Sequence, residues 1–189
     1  MVIKIQPDYW TGTKCVEYEV PWQTPESIYY LDPLCKPTDL VLEIGTGGST
    51  FFFSRRCKEV VSIETDKNWY DIIQKQLKLK NITNVTYLYI NEQKQIEEKL
   101  STLYGFDILS VDSVHGYNRS SFLNIVLEKN KKSSTIVLDN YSDIVLFPEH
   151  YNKTISQLIS ALPEPNRWVG KDFNDPHWCG SGTRILNKV

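Results

Sequence analysis

The chain has 189 residues, of which 41% are hydrophobic and 23% charged, with 21 Lys and Arg against 23 Asp and Glu for a net charge of -2. That content supports a packed core over a single domain, 1–189, and excludes a disordered or fibrous chain. It also lacks the positive field that duplex DNA or RNA binding requires, and no apolar run approaches the ~20 residues of a membrane span.

In chain order, residues 1–35 read as an N-terminal extension and a leading helix, 36–162 as a strand-and-helix core, and 163–189 as a closing hairpin. Met1-Val2-Ile3-Lys4 opens no signal peptide, so a soluble, cytoplasmic protein is expected. Thr24-Pro25-Glu26 supplies an N-cap, a proline at the first helical position and an acid in the first turn, which predicts a helix over Ser27 to Leu31. Strand-length apolar runs follow at Leu40–Ile44, Val60–Glu64, Val85–Ile90, Phe106–Val111 and Thr135–Leu138. Their lack of clean alternation is expected of a parallel sheet covered on both faces. Between them the apolar period is helical, as in Trp69, Ile73 and Leu77, in Ile96, Leu100 and Leu103, in Phe122, Ile125 and Val126, and in Ile155, Leu158, Ile159 and Leu162. The alternation predicts an α/β, Rossmann-like doubly wound sheet with helices on both faces, whose ligands bind beyond the carboxyl ends of the strands. Pro163 and Pro165 stop the last helix. Arg167–Val169 and Thr183–Leu186 then pair as a hairpin across the connection from Lys171 to Gly182. Cys15, Cys35, Cys57 and Cys179 have no paired short spacing and are expected as buried free thiols.

The most specific signal is Glu43-Ile44-Gly45-Thr46-Gly47-Gly48-Ser49-Thr50, a glycine-rich turn directly after the first strand. Glycines there let the backbone approach a ligand, the N–H groups of the next helix attract anions, and Ser49 is placed to cap that helix. From Gly45 to Glu64 is 19 residues, which sets an acid at the end of the second strand, where it can hold a ribose diol. Thr50 stands where a third dinucleotide-binding glycine would, and Glu43 lies two residues before the turn. Both argue against NAD and for an adenosine ligand ending in an ammonium beside a sulfonium. No Gly-Lys-Ser/Thr follows, which excludes a P-loop.

Val41 to Thr50, then Val60-Val61-Ser62-Ile63-Glu64-Thr65-Asp66, resemble the class I S-adenosylmethionine-dependent methyltransferase superfamily. The likeness extends from about Pro21 through Asp107 to Asp112 and on to Ile136–Asn140, leaving the first twenty residues uncovered. It implies a seven-stranded, mostly parallel sheet with a C-terminal antiparallel strand, Glu43, Gly45 and Gly47 at the methionine part of the cofactor, Glu64 at the ribose and Asn91 near the adenine. Thr46, Gly48, Ser49 and Asp112 complete the cofactor-binding set the resemblance implies, although Ser49 stands where many members have a further glycine.

After the fourth strand comes Asp112-Ser113-Val114-His115-Gly116-Tyr117. Asp112 and His115 are the catalytic candidates, His115 because its ordinary pKa is near neutrality. Asp112 with Asp139 and Asn140 is similar to the oxygen ligand set of the metal-dependent catechol-type members, which would hold magnesium. The turn chemistry of Asp139-Asn140-Tyr141-Ser142-Asp143 explains those residues without an ion, and a metal-free mechanism is the favoured reading. No Asn-Pro-Pro-Tyr follows the fourth strand, unlike the enzymes that methylate flipped bases. Tyr9, Trp10, His177 and Trp178 are candidate lids, and Lys129-Asn130-Lys131-Lys132 a basic loop that could meet an RNA end. The expected activity is methyl transfer to a small-molecule acceptor, at oxygen. The alternative is a non-catalytic nucleotide-binding or assembly subunit with the same fold, and the oligomeric state is not legible.

Overall fold

A computed structural model describes residues 11–112, 119–130, 133–139, 160, 164–174 and 182–189. The strands are β1 (Leu40–Ile44), β2 (Glu59–Glu64), β3 (Val85–Tyr89), β4 (Ile108–Val111), β5 (Thr135–Leu138), β6 (Trp168–Phe173) and β7 (Thr183–Lys188). They form one sheet in the order β3-β2-β1-β4-β5-β7-β6. β1 to β5 pair in parallel, and β7 lies antiparallel between β5 and β6. Around it pack α1 (Gly12–Tyr18), α2 (Pro25–Leu31), α3 (Gly48–Ser54), α4 (Lys67–Leu79), α5 (Gln93–Ser101) and α6 (Arg119–Lys129). No helix among the described residues is long and apolar enough to cross a membrane.

The unalternating strands have the expected cause. Val41, Val60, Ile108 and Val137 pack with Cys15, Ile28 and Phe52 on one face, while Leu42, Ile44, Ile63 and Leu109 meet Ile96, Leu100, Phe122 and Val126 of α5 and α6 on the other. Each strand therefore carries apolar side chains at odd and even positions alike.

Several boundaries differ from expectation. β4 begins at Ile108 rather than Phe106, because the Asp107 carboxylate accepts from the Leu40 N–H at 3.0 Å and its carbonyl from Ser134 N at 2.8 Å. The leading helix starts at Pro25, with Ser27 N donating to the Thr24 hydroxyl at 3.4 Å. β6 continues to Phe173, paired with Thr183, so the connection does not begin at Lys171. Cys15 and Cys57 are buried, but Cys35 is only half-buried, which corrects that thiol's expected burial. Ile155, Leu158, Ile159 and Leu162 of the last helical stripe, and Cys179, lie outside the described residues.

α1 lies in the segment the sequence left unassigned. It is capped by the Thr11 hydroxyl and ends at Glu19 in the left-handed conformation, φ 56°. The Glu19 carboxylate accepts two bonds from Arg55 at 2.9 and 3.1 Å and one from Lys80 at 2.8 Å. The Arg55 bonds, outweighing burial, hold it below the ordinary carboxylate range. Glu19 thereby straps α1 to the ends of α3 and α4, over the helix that carries the glycine turn.

Candidate functional site

β1 ends at Ile44, and the chain turns at Gly45 with φ 85°, a conformation that a Cβ would strain. Gly45 N donates to Ile63 O at 2.9 Å, and Asp112 N donates to Ile44 O at 2.7 Å. The glycine turn is thus held between the end of β2, which carries Glu64, and the end of β4, which carries Asp112. Ile90 N donates to Glu64 O at 2.9 Å, which brings the loop with exposed Asn91 to the same edge.

Glu43 points to the α3 side of β1 and is wholly buried. Its Oε2 accepts from the hydroxyls of Thr50 at 2.7 Å and Ser62 at 2.6 Å, the latter its register partner on β2. Oε1 is buried without a hydrogen-bond donor. Burial pushes the carboxyl up to about 7, against the hydroxyls of Ser49, Ser62 and Thr50, and the charge of Glu64 adds to the rise. A cation entering here would meet a carboxylate already poised to ionise.

Glu64 is also buried, and its two oxygens accept four bonds. Oε1 takes the N–H groups of Thr65 at 2.7 Å and Asp66 at 2.8 Å. Oε2 takes the N–H of Thr46 at 3.2 Å and the Thr46 hydroxyl in a short contact. The same hydroxyl lies 2.9 Å from Tyr87 Oη, and Trp69 Nε1 donates to the Thr46 carbonyl at 2.8 Å. Burial raises the Tyr87 phenol well above its ordinary value, so it remains a neutral hydrogen-bonding group.

One expected role in the turn is corrected. Ser49 does not cap α3: Gly47 occupies the cap position, the Thr50 hydroxyl accepts from Gly47 N at 3.3 Å, and Ser49 sits inside the first turn beside Glu43. Gly48 also meets a packing demand, since a Cβ there would lie 1.9 Å from the Val20 carbonyl oxygen and 2.5 Å from the Cys15 carbonyl oxygen.

At the other end of the site, Arg119 at the start of α6 is buried and pairs with half-exposed Asp112 at 3.4 Å. Its Nη1 donates to the Asp139 carbonyl at 2.9 Å, and the Thr183 hydroxyl donates to Asp139 Oδ1 at 2.7 Å. Asp112 and Asp139 do converge, but a guanidinium stands with them. The guanidinium faces the Asp112 carboxylate and the Asp139 backbone carbonyl, while the Asp139 carboxylate is answered by Thr183. No group of three metal-ligating side chains is found among the described residues. His115, Asn140, Tyr9, Trp10, His177, Trp178, Lys131 and Lys132 lie outside the described residues.

Sequence reasoning missed Thr50, Ser62, Tyr87 and Arg119. A signal existed for two of them: Ser62 is a polar residue inside an apolar strand, and Arg119 places a cation at a helix N-terminus, where the dipole disfavours it unless anions answer it.

No protein-family profile matches the chain. Over 131 residues it is 29% identical to a probable cobalt-precorrin-6B C(15)-methyltransferase (decarboxylating) of Methanococcus vannielii, covering 67% of this chain and 68% of that protein. It is 23% identical over 149 residues to an uncharacterized RNA methyltransferase of Lactobacillus johnsonii, covering 77% of this chain but only 32% of the relative. Among solved structures, the O-methyltransferase TomG from Streptomyces achromogenes, in complex with SAM, superposes with a TM-score of 0.65 at 14% identity, over 100% of this chain and 92% of that one. The fold is that of the class I S-adenosylmethionine-dependent methyltransferases, in agreement with the motifs of β1 and β2.

Proposed function

We propose that the chain is an S-adenosylmethionine-dependent methyltransferase, working as one domain and transferring methyl to a small-molecule acceptor at oxygen. The observation that carries this reading is the wholly buried Glu43 carboxyl with an undonated oxygen, set beneath a glycine turn whose other flank is Glu64. A buried acceptor without a donor costs stability unless a ligand supplies one, and an amino-acid ammonium is a matching ligand.

In this reading Glu43 and the Gly45–Ser49 turn hold the methionine part, Glu64 the ribose and Asn91 the adenine. When bound, the cofactor supplies an electrophilic methyl on a sulfonium. The protein's main task is then to orient an acceptor oxygen in line with that carbon and to keep water out. Asp112, fixed beside Ile44 by its own backbone and by Arg119, orients the acceptor, and His115 takes its proton. With Arg119 answering Asp112, charge balance at this edge comes from the chain itself, and no step is assigned to magnesium. The TomG neighbour favours an oxygen acceptor, and the net charge of -2 disfavours a long RNA.

S-adenosylhomocysteine at a hundredfold excess over its dissociation constant is expected to stabilise the protein by ~2.7 kcal/mol, visible as a thermal shift, while NAD gives none. Equal shifts, or none with either, would remove the cofactor assignment. For catalysis, EDTA is expected to leave turnover intact and His115→Ala to lower it by ~10²–10⁴-fold. EDTA-sensitive turnover restored by magnesium would return the metal mechanism.

A further inference from the structure

We propose that Thr46 governs cofactor affinity by holding, in the unliganded protein, the place on Glu64 that a ribose hydroxyl takes on binding; this rests on the reading of Glu64 as the ribose-binding acid. A carboxylate offers about four acceptor positions. All four on Glu64 are filled, by the N–H groups of Thr46, Thr65 and Asp66 and by the Thr46 hydroxyl. A ribose diol therefore cannot simply be added; one donor has to leave.

Three of the four donors are backbone groups fixed by the end of β2 and by the turn. Asp66 is the N-cap of α4, its carboxylate accepting from Trp69 N at 2.7 Å, and Trp69 in turn holds the Thr46 carbonyl at 2.8 Å. Moving any of these N–H groups would disturb the turn itself. The Thr46 hydroxyl is different, because rotation about one side-chain bond removes it while the backbone stays in place. In its present position the same oxygen also lies 2.9 Å from Tyr87 Oη, so the rotation gives up that contact too, and the partly exposed side chain turns its hydroxyl towards water. Thr46 is partly exposed, which gives the incoming ligand access to the exchange.

The exchange has a definite consequence. Each hydrogen bond a ribose hydroxyl makes to Glu64 is offset by the one Thr46 gives up, so the acid's contribution to affinity is smaller than its burial and charge would otherwise make it. Removing the competing hydroxyl should strengthen binding rather than weaken it, the opposite of what deletion of a contact residue does.

The test is calorimetric titration of the full chain with S-adenosylhomocysteine, comparing wild type with Thr46→Val, Thr46→Ala and Thr46→Ser. Expected are dissociation constants about five- to tenfold lower for Val and Ala, with Ser close to wild type because it keeps the hydroxyl. In a Glu64→Gln background the gain from Thr46→Val should disappear, which a general effect on turn stability would not produce. Thr46→Ala keeps the test open if Val disturbs the packing against Tyr87. Unchanged or weaker binding in both Val and Ala, with wild type binding normally, overturns the role of Thr46 alone. No binding of S-adenosylhomocysteine by any of the proteins overturns the cofactor reading beneath it.

Discussion

Glu43→Gln is expected to make the protein more stable at alkaline pH and worse at binding its cofactor. In the folded chain the Glu43 carboxyl is moved from 4.5 up to about 7, chiefly by burial. A group whose folded value is raised contributes stability that is complete below about 4.5 and is lost as pH rises through about 7. Above that pH the native state holds a buried charge, and the difference amounts to roughly 3 kcal/mol. Gln carries no charge to bury, so the melting temperature of the variant should exceed that of wild type by roughly 6–12 °C at pH 8.5 and by little at pH 5. Binding runs the other way. An ammonium beside Glu43 favours the ionised carboxyl, so wild-type affinity for S-adenosylhomocysteine should rise between pH 6 and 8 and the Gln variant should lose that rise. A stability difference that does not change with pH would show that Glu43 is ionised throughout, and the electrostatic account of the turn would fail with it.

The second large effect is expected from Gly48→Ala. The added methyl would lie 1.9 Å from the Val20 carbonyl oxygen and 2.5 Å from the Cys15 carbonyl oxygen, and neither is a flexible side-chain end that can swing aside. Either α1 moves off α3 or α3 moves away from β1. Overpacking of this kind costs about 3 kcal/mol or more, roughly 6–12 °C in melting temperature for a chain of this length. Gly12→Ala is the matched comparison in the same contact region. Its methyl meets the Trp22 ring at 3.5 Å, ordinary van der Waals contact, and it lies in a helix where alanine is favoured. That variant should be neutral or slightly stabilised. A melting temperature for Gly48→Ala within a degree of wild type would mean that α1 does not rest on the turn.

The two variants separate two demands on the same eight residues from Glu43 to Thr50. Under the proposed function Glu43 serves a ligand at a cost to stability, whereas Gly48 also gives the N-terminal helix the surface it rests on. Both reside in one motif, and only burial and distance distinguish them.

The sequence by itself determined the sheet and its two-sided cover, because strand and helix periods of 2 and 3.6 are local properties that survive without knowledge of the partners. It also determined that Glu43, the glycine turn and Glu64 lie at one edge, since a parallel sheet brings the carboxyl ends of β1 and β2 together whatever the exact register. What only the tertiary structure decided is how those groups are answered. Ser62 reaches Glu43 because β1 and β2 pair with Glu43 opposite Ser62, and a shift of one residue would have turned it to the other face. Tyr87 reaches Thr46 across 41 residues of chain, and Arg119 reaches Asp112 and Asp139 from a helix that the sequence could place but not orient. α1 escaped the sequence reading because its seven residues are too short for a helical period to stand out. Packing against α3 and the bonds from Glu19 to Arg55 and Lys80 hold it, and such contacts between distant parts of the chain leave no pattern in either part alone.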